Sequence, residues 1–351
     1  MSQRVIPHSR PSLGEAEAEA VAQVVQSGQL AQGDRVAAFE RAVATLTGQD
    51  QGVAVSSGTA ALSLALRALG VGPGDEVVLP SYVCAALWHA VRATGAQAVL
   101  VDSDLLTYNL APDAVSRAIT SRTKAVIVPH LFGLPVDVAE LKTTGIPVIE
   151  DCAQTLGTSI GGRPVGGSGD LTVCSFYATK LLTTGEGGMV LGGMEALIAR
   201  IRALRQYDEQ EKLEPTFNYK MTELQAAIGL CQVARLEAFL ARRRAIAARY
   251  AEAIRLAGVA PPTVPSGREH VYYRFVVRLR TPVAPVLKRA AALGIACRRP
   301  VHRPLHRYLG LSGFPESDAA WEHTLSIPIY PALADEEVDR IVAALPALLA
   351  G

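Results

Sequence analysis

The chain has 351 residues, of which 49% are hydrophobic and 19% are charged, and its formal net charge is +1. This length and apolar content favour an enzyme with one large and one smaller domain. The balanced charge argues against a nucleic-acid-binding surface, because Lys and Arg are spread along the chain. The arginine run at 242–244 lies in a helical segment, and we interpret it as a helix face.

The five cysteines are isolated from one another, and no two of them form a Cys-x-x-Cys pair. This spacing argues against a zinc site and against a disulfide framework, so we expect no metal and a reducing compartment. The N-terminal residues contain no apolar core of signal-peptide length. No apolar run approaches the roughly 20 residues needed to span a membrane. We therefore expect a cytoplasmic protein without a membrane partner.

Helical and strand-like segments alternate along the first two thirds of the chain. Helices are predicted at 13–27, 35–47, 60–69, 84–94, 195–206 and about 222–256. Strands are predicted at 53–56, 76–79, 98–101, 125–129, 147–150, 171–176 and 188–191. The strands are short and apolar on both faces, which is typical of a mostly parallel sheet flanked by helices. Ligands bind such sheets at the carboxyl ends of the strands.

The pattern changes after Pro261. A strand at 272–279, a helix at 283–293, a strand near 295–298 and a last helix at 335–349 predict a smaller C-terminal α+β domain. We place the boundary near residue 237. This gives a large domain at 1–237, which begins with a helical arm, and a small domain at 238–351.

The first of three motifs that follow predicted strands is Ser56-Ser57-Gly58-Thr59-Ala60. The free N–H groups at the start of a helix, hydroxyl groups and a glycine that allows close approach together favour a phosphate site. A plain helix cap without a ligand has the same local pattern, so this motif alone leaves both interpretations open.

The second motif is Ile149-Glu150-Asp151-Cys152-Ala153-Gln154. Asp151 follows an apolar strand, where its carboxylate needs a partner. A protonated pyridine nitrogen is a suitable partner, and the pairing would keep the ring able to accept electrons. The alternative is that Asp151 caps the following helix. Gln154, one helical turn later, could hydrogen-bond a phenolic oxygen of the same cofactor.

The third motif runs from Ser175 through Lys180 to the glycine-rich turn at 183–188. A lone lysine after a strand is usually solvated. Lys180, however, precedes a tight turn and another apolar strand, so we expect a confined side chain that acts as nucleophile and proton carrier. Ser175 could add a hydroxyl group to the phosphate site.

The order of these motifs resembles that of a known family, the DegT/StrS-type sugar aminotransferases of the fold-type-I pyridoxal-phosphate class. The matching stretches include SSGTAALSLALRALGVGPGDEVVLPS, ITSRTKAVIVPHLFG, VIEDCAQTLG, GDLTVCSFYATKLLTTGEGG, FNYKMTELQAAIGL and LSIPIYPAL, which extend from residue 56 to residue 333. The resemblance implies that pyridoxal 5′-phosphate (PLP, with its amino form PMP) is the cofactor. One branch of the family has His in place of the lysine and removes oxygen from sugars, so Lys180 favours amine transfer.

The resemblance also implies individual roles. Lys180 would form the Schiff base and carry the proton, Asp151 would pair with the pyridinium nitrogen, and Gln154 would lie near the ring oxygen. Phosphate contacts would come from Ser57, Gly58, Thr59 and Ser175, with Asn218 reaching the phosphate of a neighbouring subunit. This last role implies a homodimer with shared active sites. The substrate side would include His130, Tyr177, Glu186, His302, His306 and Tyr330.

The chain departs from the family pattern at three places on the substrate side. Cys84 stands where an aromatic residue usually stacks on the cofactor ring, and Tyr82 or Trp88 could replace that contact. His302 stands where Tyr is common. The segment between Arg205 and Phe217 is short and lacks the family's His-Gly.

The expected reaction moves an amino group from an amino acid, with L-glutamate as the expected donor, to a keto-sugar. The expected acceptor is a nucleotide-linked 3- or 4-keto-deoxysugar. Two alternatives remain open: amination of a keto-cyclitol or another cyclic ketone, and a PLP-dependent sugar dehydratase.

Overall fold

The structure is a computed structural model that describes residues 5–208 and 213–349. Its first half contains α1 (Glu15–Ser27), α2 (Asp34–Thr47), β1 (Gln51–Val55), α3 (Gly58–Ala68), β2 (Glu76–Pro80), α4 (Ala86–Thr94), β3 (Gln97–Val101), α5 (Pro112–Ala118), β4 (Thr123–Pro129), α6 (Ala139–Lys142) and β5 (Val148–Asp151). A 3-10 turn at Leu131–Gly133 follows β4.

The second half contains β6 (Ser159–Ile160), β7 (Arg163–Pro164), β8 (Leu171–Ser175), β9 (Gly188–Gly192), α7 (Glu195–Arg205), α8 (Glu223–Ala234), α9 (Leu236–Leu256), β10 (Phe275–Arg278), α10 (Val283–Ala292), α11 (Leu305–Leu309), α12 (Pro315–His323), β11 (Thr324–Ile327) and α13 (Asp335–Leu349). The segment between Arg205 and Phe217, which the sequence marks as short, includes residues 209–212 outside the described residues.

A seven-stranded sheet in the order β1-β9-β8-β5-β4-β2-β3 forms the centre of the large domain. Strand β9 is antiparallel to both of its neighbours, whereas the other pairings are parallel. Residues on both faces of most strands are buried, because helices cover the sheet on both sides. The prediction of a mostly parallel sheet flanked by helices is confirmed.

The sheet brings the ends of three strands to one place. Gly188 is the register partner of Val55 on one side and of Ser175 on the other. Asp151 is the partner of Val173, two residues before Ser175. The three motifs therefore converge at the carboxyl ends of β1, β5 and β8, where α/β sheets bind ligands.

The predicted helix at 222–256 is two helices, α8 and α9, which meet at Arg235 with a bend of 58°. Among the described residues no single helix is long and apolar enough to cross a membrane, and only this bent pair passes the same test of length and composition. Buried residues of the pair, such as Ala226 and Leu240, pack in a core with Phe39 and Phe176.

The small C-terminal part differs from its prediction in two strands, since the predicted strand near 295–298 does not form and β11 was not predicted. Residues 295–298 form only isolated bridges, Ile295 to Ile6 and Arg298 to Ser326, and β10 pairs instead with β11. The helices α5, α6, α11 and α12 were not predicted either, because each is short and has little hydrophobic periodicity.

A separate hydrophobic core lies in the C-terminal part. It joins residues of α9, β10, α10, β11 and α13, including Tyr250, Phe275, Leu325 and Ile341. Ile6 from the N-terminal segment is buried in the same core. This core supports a smaller second domain, while the boundary near residue 237 stays a prediction.

Candidate active site

The start of α3 and the end of β8 form a narrow cradle. Ser57 caps α3 through its hydroxyl, which accepts a hydrogen bond from Ala60 N at 3.1 Å. A Cβ atom added to Gly58 would lie 2.8 Å from Ser175 Cβ and 3.0 Å from its Oγ. A Cβ on Gly188 would lie 2.3 Å from the carbonyl oxygen of Ser57. Only glycine at 58 and 188 allows these segments to approach so closely.

This cradle has the groups that a phosphate requires. The exposed Thr59 lies in the first turn of α3, and Ser175 is half-buried opposite it. The first N–H groups of a helix and its positive dipole end favour an anion. The phosphate interpretation of the first motif therefore has a matching geometry.

Asp151 is a buried carboxylate at the end of β5, with 8% of its surface exposed. Its Oδ1 accepts a hydrogen bond from Ala153 N at 3.0 Å. Burial raises the pKa of Asp151, and the positive charge of Lys180 and the Ala153 N–H offset this rise only in part. A protonated pyridine nitrogen would supply the cation that this carboxylate lacks.

Gln154 is anchored by its side-chain oxygen. Gln154 Oε1 accepts a hydrogen bond from Phe132 N at 2.7 Å. Phe132 adopts a left-handed conformation with φ 61°, which places it among the strained residues of the chain. Because the oxygen is occupied, the Nε2 amide is the group that can donate to a ring oxygen.

Lys180 is half-buried in the turn after β8. Its backbone N–H donates to Tyr177 O at 2.9 Å, which fixes the turn. Its ammonium lies 5.3 Å from the centroid of the Tyr273 ring. Lys180 is close enough to Asp151 and Cys84 to influence the pKa of both groups.

Cys84 lies near Lys180 and Asp151. Its surface is exposed, although protein surrounds the thiol on most sides. Burial raises the pKa of Cys84, against the opposing charge of Lys180, and Asp151 adds to the rise. The thiol of Cys84 therefore lies near Lys180 and Asp151, at the position where the family pattern has an aromatic residue.

A cavity of about 1140 Å³ opens next to the lysine turn and is lined there by Tyr177 and Thr179. His302 and Trp321 line it further out. None of its described lining residues is Asp or Glu. Five arginines line it: Arg274, Arg298, Arg299, Arg303 and Arg307.

The guanidinium groups of Arg299 and Arg307 lie over the Trp321 indole, at 4.2 Å and 4.1 Å from its centroid. Arg307 also pairs with Asp318 and Glu322. In contrast, Arg274, Arg298 and Arg299 make no ion pair within the described part of the chain. Sequence reasoning missed this arginine set, although the Arg298-Arg299 pair beside His302 was a signal available in the sequence.

Two residues predicted on the substrate side, Tyr177 and His302, line the cavity. Glu186 is exposed in the glycine-rich turn, where its carbonyl oxygen accepts from Gln225 Nε2 at 2.8 Å. Asn218 is also exposed, and its neighbour Tyr219 accepts a hydrogen bond from Ser56 N at 2.8 Å. Asn218 thus lies on the segment that adjoins the phosphate cradle of its own chain.

Contrary to the prediction of a substrate contact, His130 is entirely buried. Its Nδ1 accepts a hydrogen bond from Val136 N at 3.0 Å, and its Nε2 lies 3.1 Å from Glu150 Oε2. Since Nδ1 is an acceptor, Nε2 carries the proton and donates to Glu150. Burial alone would raise the pKa of Glu150, but hydrogen bonds from His130, Gly169 and Ser168 hold that pKa below its usual value.

His306 and Tyr330 are corrected in the same way. His306 is 2% exposed, and its ring nitrogens contact Ser81 Oγ at 2.7 Å and Asp318 at 3.0 Å. Tyr330 is 1% exposed within the C-terminal core. The His306 side chain faces the interior because it bonds to Ser81 and Asp318, and Tyr330 faces the interior because it packs in the C-terminal core. Neither residue lines the cavity.

Tyr82 does not lie where it could stack on a cofactor ring. Its side chain is 0% exposed, and its hydroxyl is 2.9 Å from Thr324 Oγ1. Burial raises the pKa of the phenol, in keeping with a neutral core residue. Trp88 is half-buried against the main core. Of these three residues, Cys84 is the one whose thiol lies close enough to Lys180 and Asp151 to be influenced by their charges.

The comparisons with known proteins agree with this geometry. The chain is 34% identical to the spore coat polysaccharide biosynthesis protein SpsC of Bacillus subtilis, over 99% of this chain and 97% of SpsC. It is 35% identical to the aminotransferase TlmJ of Streptoalloteichus hindustanus, with a TM-score of 0.93 over 98% of this chain and 99% of TlmJ. It is 30% identical to DesI, solved in the presence of its TDP-sugar product, with a TM-score of 0.92 over 100% of this chain and 94% of DesI.

The sequence profile of one family matches residues 11–346. Aminotransferases of this family use pyridoxal phosphate, and the cradle, the buried carboxylate and the lysine fit that cofactor. The predicted cofactor, enzyme class and family are confirmed. The chain therefore belongs to the DegT/DnrJ/EryC1/StrS aminotransferase family.

Proposed function

We propose that this aminotransferase moves the amino group of an amino acid, L-glutamate, to a nucleotide-linked 3- or 4-keto-deoxysugar. The printed names of its relatives favour sugar chemistry, since SpsC belongs to polysaccharide biosynthesis and DesI was solved with a TDP-sugar. The observation that carries the nucleotide part is the arginine-lined cavity beside Lys180. A diphosphate is an anion that guanidinium groups bind well, whereas a neutral sugar or cyclitol has no negative charge to pair with them.

Each residue of the candidate site would have a separate role in the reaction. When bound, pyridoxal phosphate supplies an aldehyde that joins amines and a ring that withdraws electrons. The cradle at Gly58 and Ser175 would hold its phosphate, and Asp151 would face its ring nitrogen. Lys180 would form the Schiff base in the resting enzyme. Once released, the neutral Nζ atom of Lys180 would be the base that takes the proton from the α-carbon of the donor.

The role of Lys180 is tested by chemical trapping. The purified enzyme is expected to have a visible absorbance band that borohydride bleaches, leaving the cofactor covalently attached to the Lys180 peptide. Lys180→Ala is expected to lose both the trapped peptide and amine transfer. Lys142→Ala is a matched control, because Lys142 pairs with Asp170 at a distance of 2.6 Å and lies outside the site. Cofactor trapped on the protein after Lys180→Ala would refute the assignment.

The substrate class is tested by a competition assay. Thymidine and uridine diphosphates are expected to inhibit the enzyme, and Arg298→Ala or Arg299→Ala is expected to weaken this inhibition by about tenfold, as for a charge-assisted hydrogen bond. Arg41→Ala, on the exposed face of α2, is the control. Equal use of a free keto-cyclitol and a nucleotide-linked ketone would favour the cyclic-ketone alternative. Turnover without stoichiometric 2-oxoglutarate from glutamate would favour the dehydratase.

We also propose a homodimer in which Asn218 reaches the phosphate of the other subunit. The exposure of Asn218 supports this, because its side chain remains accessible to a second subunit among the described residues. In a mixture of refolded Lys180→Ala and Asn218→Ala chains, hybrid dimers would contain one intact site. The mixture is therefore expected to recover activity that neither variant has alone. A mixture without recovered activity, although hybrids are shown by native mass spectrometry, would exclude the shared site.

A further inference from the structure

The ring of Tyr273 lies beneath two cations. The Nζ atom of Lys180 and the guanidinium carbon of Arg274 are each 5.3 Å from its centroid. Tyr273 itself is 8% exposed and packs with residues of the large-domain core. A protonated amine at this distance from an aromatic face gains electrostatic stabilisation from the ring.

The backbone around Tyr273 is held unusually firmly. A Cβ atom on Gly133, whose φ is +99°, would lie 2.7 Å from Tyr273 N, so only glycine fits there. The neighbouring Tyr272 has a left-handed φ of 48°. Arg274 N donates to Phe132 O at 3.1 Å, and Phe132 is the residue that anchors Gln154. The backbone of Tyr273 is therefore tied to the segment that anchors Gln154, one of the expected cofactor contacts.

A buried cation completes this arrangement. Arg243 is 3% exposed and donates from one nitrogen to the carbonyl oxygens of Tyr272, Tyr273 and Ile329, at 3.1, 3.3 and 3.0 Å. Its Nε has no hydrogen-bond partner within the described residues. Burial lowers the pKa of Arg243 to about 10.

The positive charges around Tyr273 affect the pKa of its phenol. Burial alone would raise its pKa, but Lys180, Arg274, Arg243 and a hydrogen bond with Thr179 hold the pKa of Tyr273 below its usual value. Thr179 is the residue before Lys180 in the chain, so this hydrogen bond joins Tyr273 to the lysine turn.

We propose that Tyr273 is a positioning residue whose ring face holds the Lys180 ammonium whenever the lysine is free of the cofactor and carries a proton. When released Lys180 carries a proton, it needs a nearby group that stabilises its positive charge. A carboxylate would hold the ammonium in a tight ion pair and oppose the return of the proton. A ring face stabilises the charge more weakly and accepts no proton, so Lys180 stays able to give its proton up. This inference rests on the proposed role of Lys180.

The test uses the full chain after the cofactor has been removed. Reductive methylation of Lys180 is followed by mass spectrometry of its peptide, because an amine held as ammonium reacts slowly. Tyr273→Leu removes the ring and is expected to speed the methylation of Lys180 about tenfold, the size of a desolvated cation–π contact. Tyr273→Phe keeps the ring face and is expected to stay within about twofold of the original rate.

The loaded enzyme gives a second readout. Tyr273→Leu is expected to slow the reaction with L-glutamate and to increase the isotope effect of α-deuterated glutamate, while Tyr273→Phe restores both. Tyr308→Leu is the control, since the exposed Tyr308 lies under Arg303 at 5.1 Å, away from the lysine. An unchanged methylation rate in a folded Tyr273→Leu protein would overturn the proposal, as would equal acceleration in Tyr273→Phe and Tyr273→Leu. Failure to trap cofactor on Lys180 would refute the proposed function instead.

Discussion

Neighbouring residues of β5 have opposite roles because side chains alternate across a strand. Asp151 faces the site, whereas Glu150 faces the other side, where it accepts from Ser168 N at 2.9 Å and from Gly169 N at 2.6 Å and contacts His130. Burial raises the pKa of Asp151, and dense hydrogen bonding lowers the pKa of Glu150. One strand therefore carries one carboxylate that faces the candidate site and a second one that supports the fold.

A prediction at the residue scale concerns the phosphate cradle. In Gly58→Ala the new Cβ would lie 2.8 Å from Ser175 Cβ, so Ser175 and the start of α3 must move apart. We expect the dissociation constant of pyridoxal phosphate to rise by about tenfold to a hundredfold, the usual size of an overpacking effect. Absorbance titration of the cofactor-free protein measures this change.

The matched control is Gly72→Ala, after the other end of the same helix, where a Cβ would meet no atom within 4 Å. Its cofactor affinity is expected to equal that of the unchanged protein. If both glycine variants bound the cofactor as tightly as the original chain, the phosphate would not lie in the cradle.

At the scale of the element, one helix caps another. The carboxylate of Glu223, in the first turn of α8, accepts from Gly33 N at 3.0 Å, Arg35 N at 2.9 Å and Val36 N at 2.8 Å, which are the free N–H groups at the start of α2. Gly33 at the N-cap has no side chain to do this. A charge from a distant segment therefore satisfies the start of α2 and locks it against α8.

We expect Glu223→Ala to lower the free energy of unfolding by about 2 kcal/mol, because one buried and two part-buried N–H groups lose a charged acceptor. Urea unfolding at a fixed protein concentration measures the loss. Glu195→Ala is the control, since Glu195 also lies in the first turn of a helix, α7, but is exposed. Its effect is expected to stay within about 0.5 kcal/mol. Similar losses in both variants would contradict the capping role.

For the whole molecule, two buried histidines link stability to pH. Burial, together with Arg274 and Arg298, lowers the pKa of His8 to about 3. Burial lowers the pKa of His270 to about 3, and its Nδ1 accepts from Tyr272 N at 2.9 Å. Both rings are therefore neutral in the folded protein but take up a proton near pH 6.5 once unfolded.

The unfolded state thus binds more protons between pH 6.5 and pH 3, and stability falls as the pH decreases through this window. Each histidine is expected to contribute a slope of up to about 1.4 kcal/mol per pH unit. We expect His270→Asn to make the loss of stability between pH 7 and pH 5 shallower by about that amount. Asn has a side-chain oxygen that can accept the same hydrogen bond but does not titrate.

Chemical unfolding at several pH values measures the slope. His89→Asn, at an exposed position, is expected to leave it unchanged. A slope in His270→Asn equal to that of the original protein would mean that His270 is not held neutral by the fold.

The sequence by itself determined the central sheet and the positions of Asp151, Lys180 and the Gly58 loop. These features depend on contiguous stretches: an apolar run predicts a buried strand, and a reactive residue directly after it reaches the carboxyl edge of the sheet. The resemblance to a family then identified the cofactor, pyridoxal phosphate.

Only the tertiary structure decided which side chains face the site. His130, His306 and Tyr330 lie in matching motifs but point into the core, because their polar atoms or rings pack against distant segments. The arginine cavity and the contact between Tyr273 and Lys180 also depend on such contacts, since residues about a hundred positions apart meet there. The local sequence pattern shows which reactive residues follow which strands. The direction of each side chain and its contacts with distant residues depend on how the helices and strands pack together.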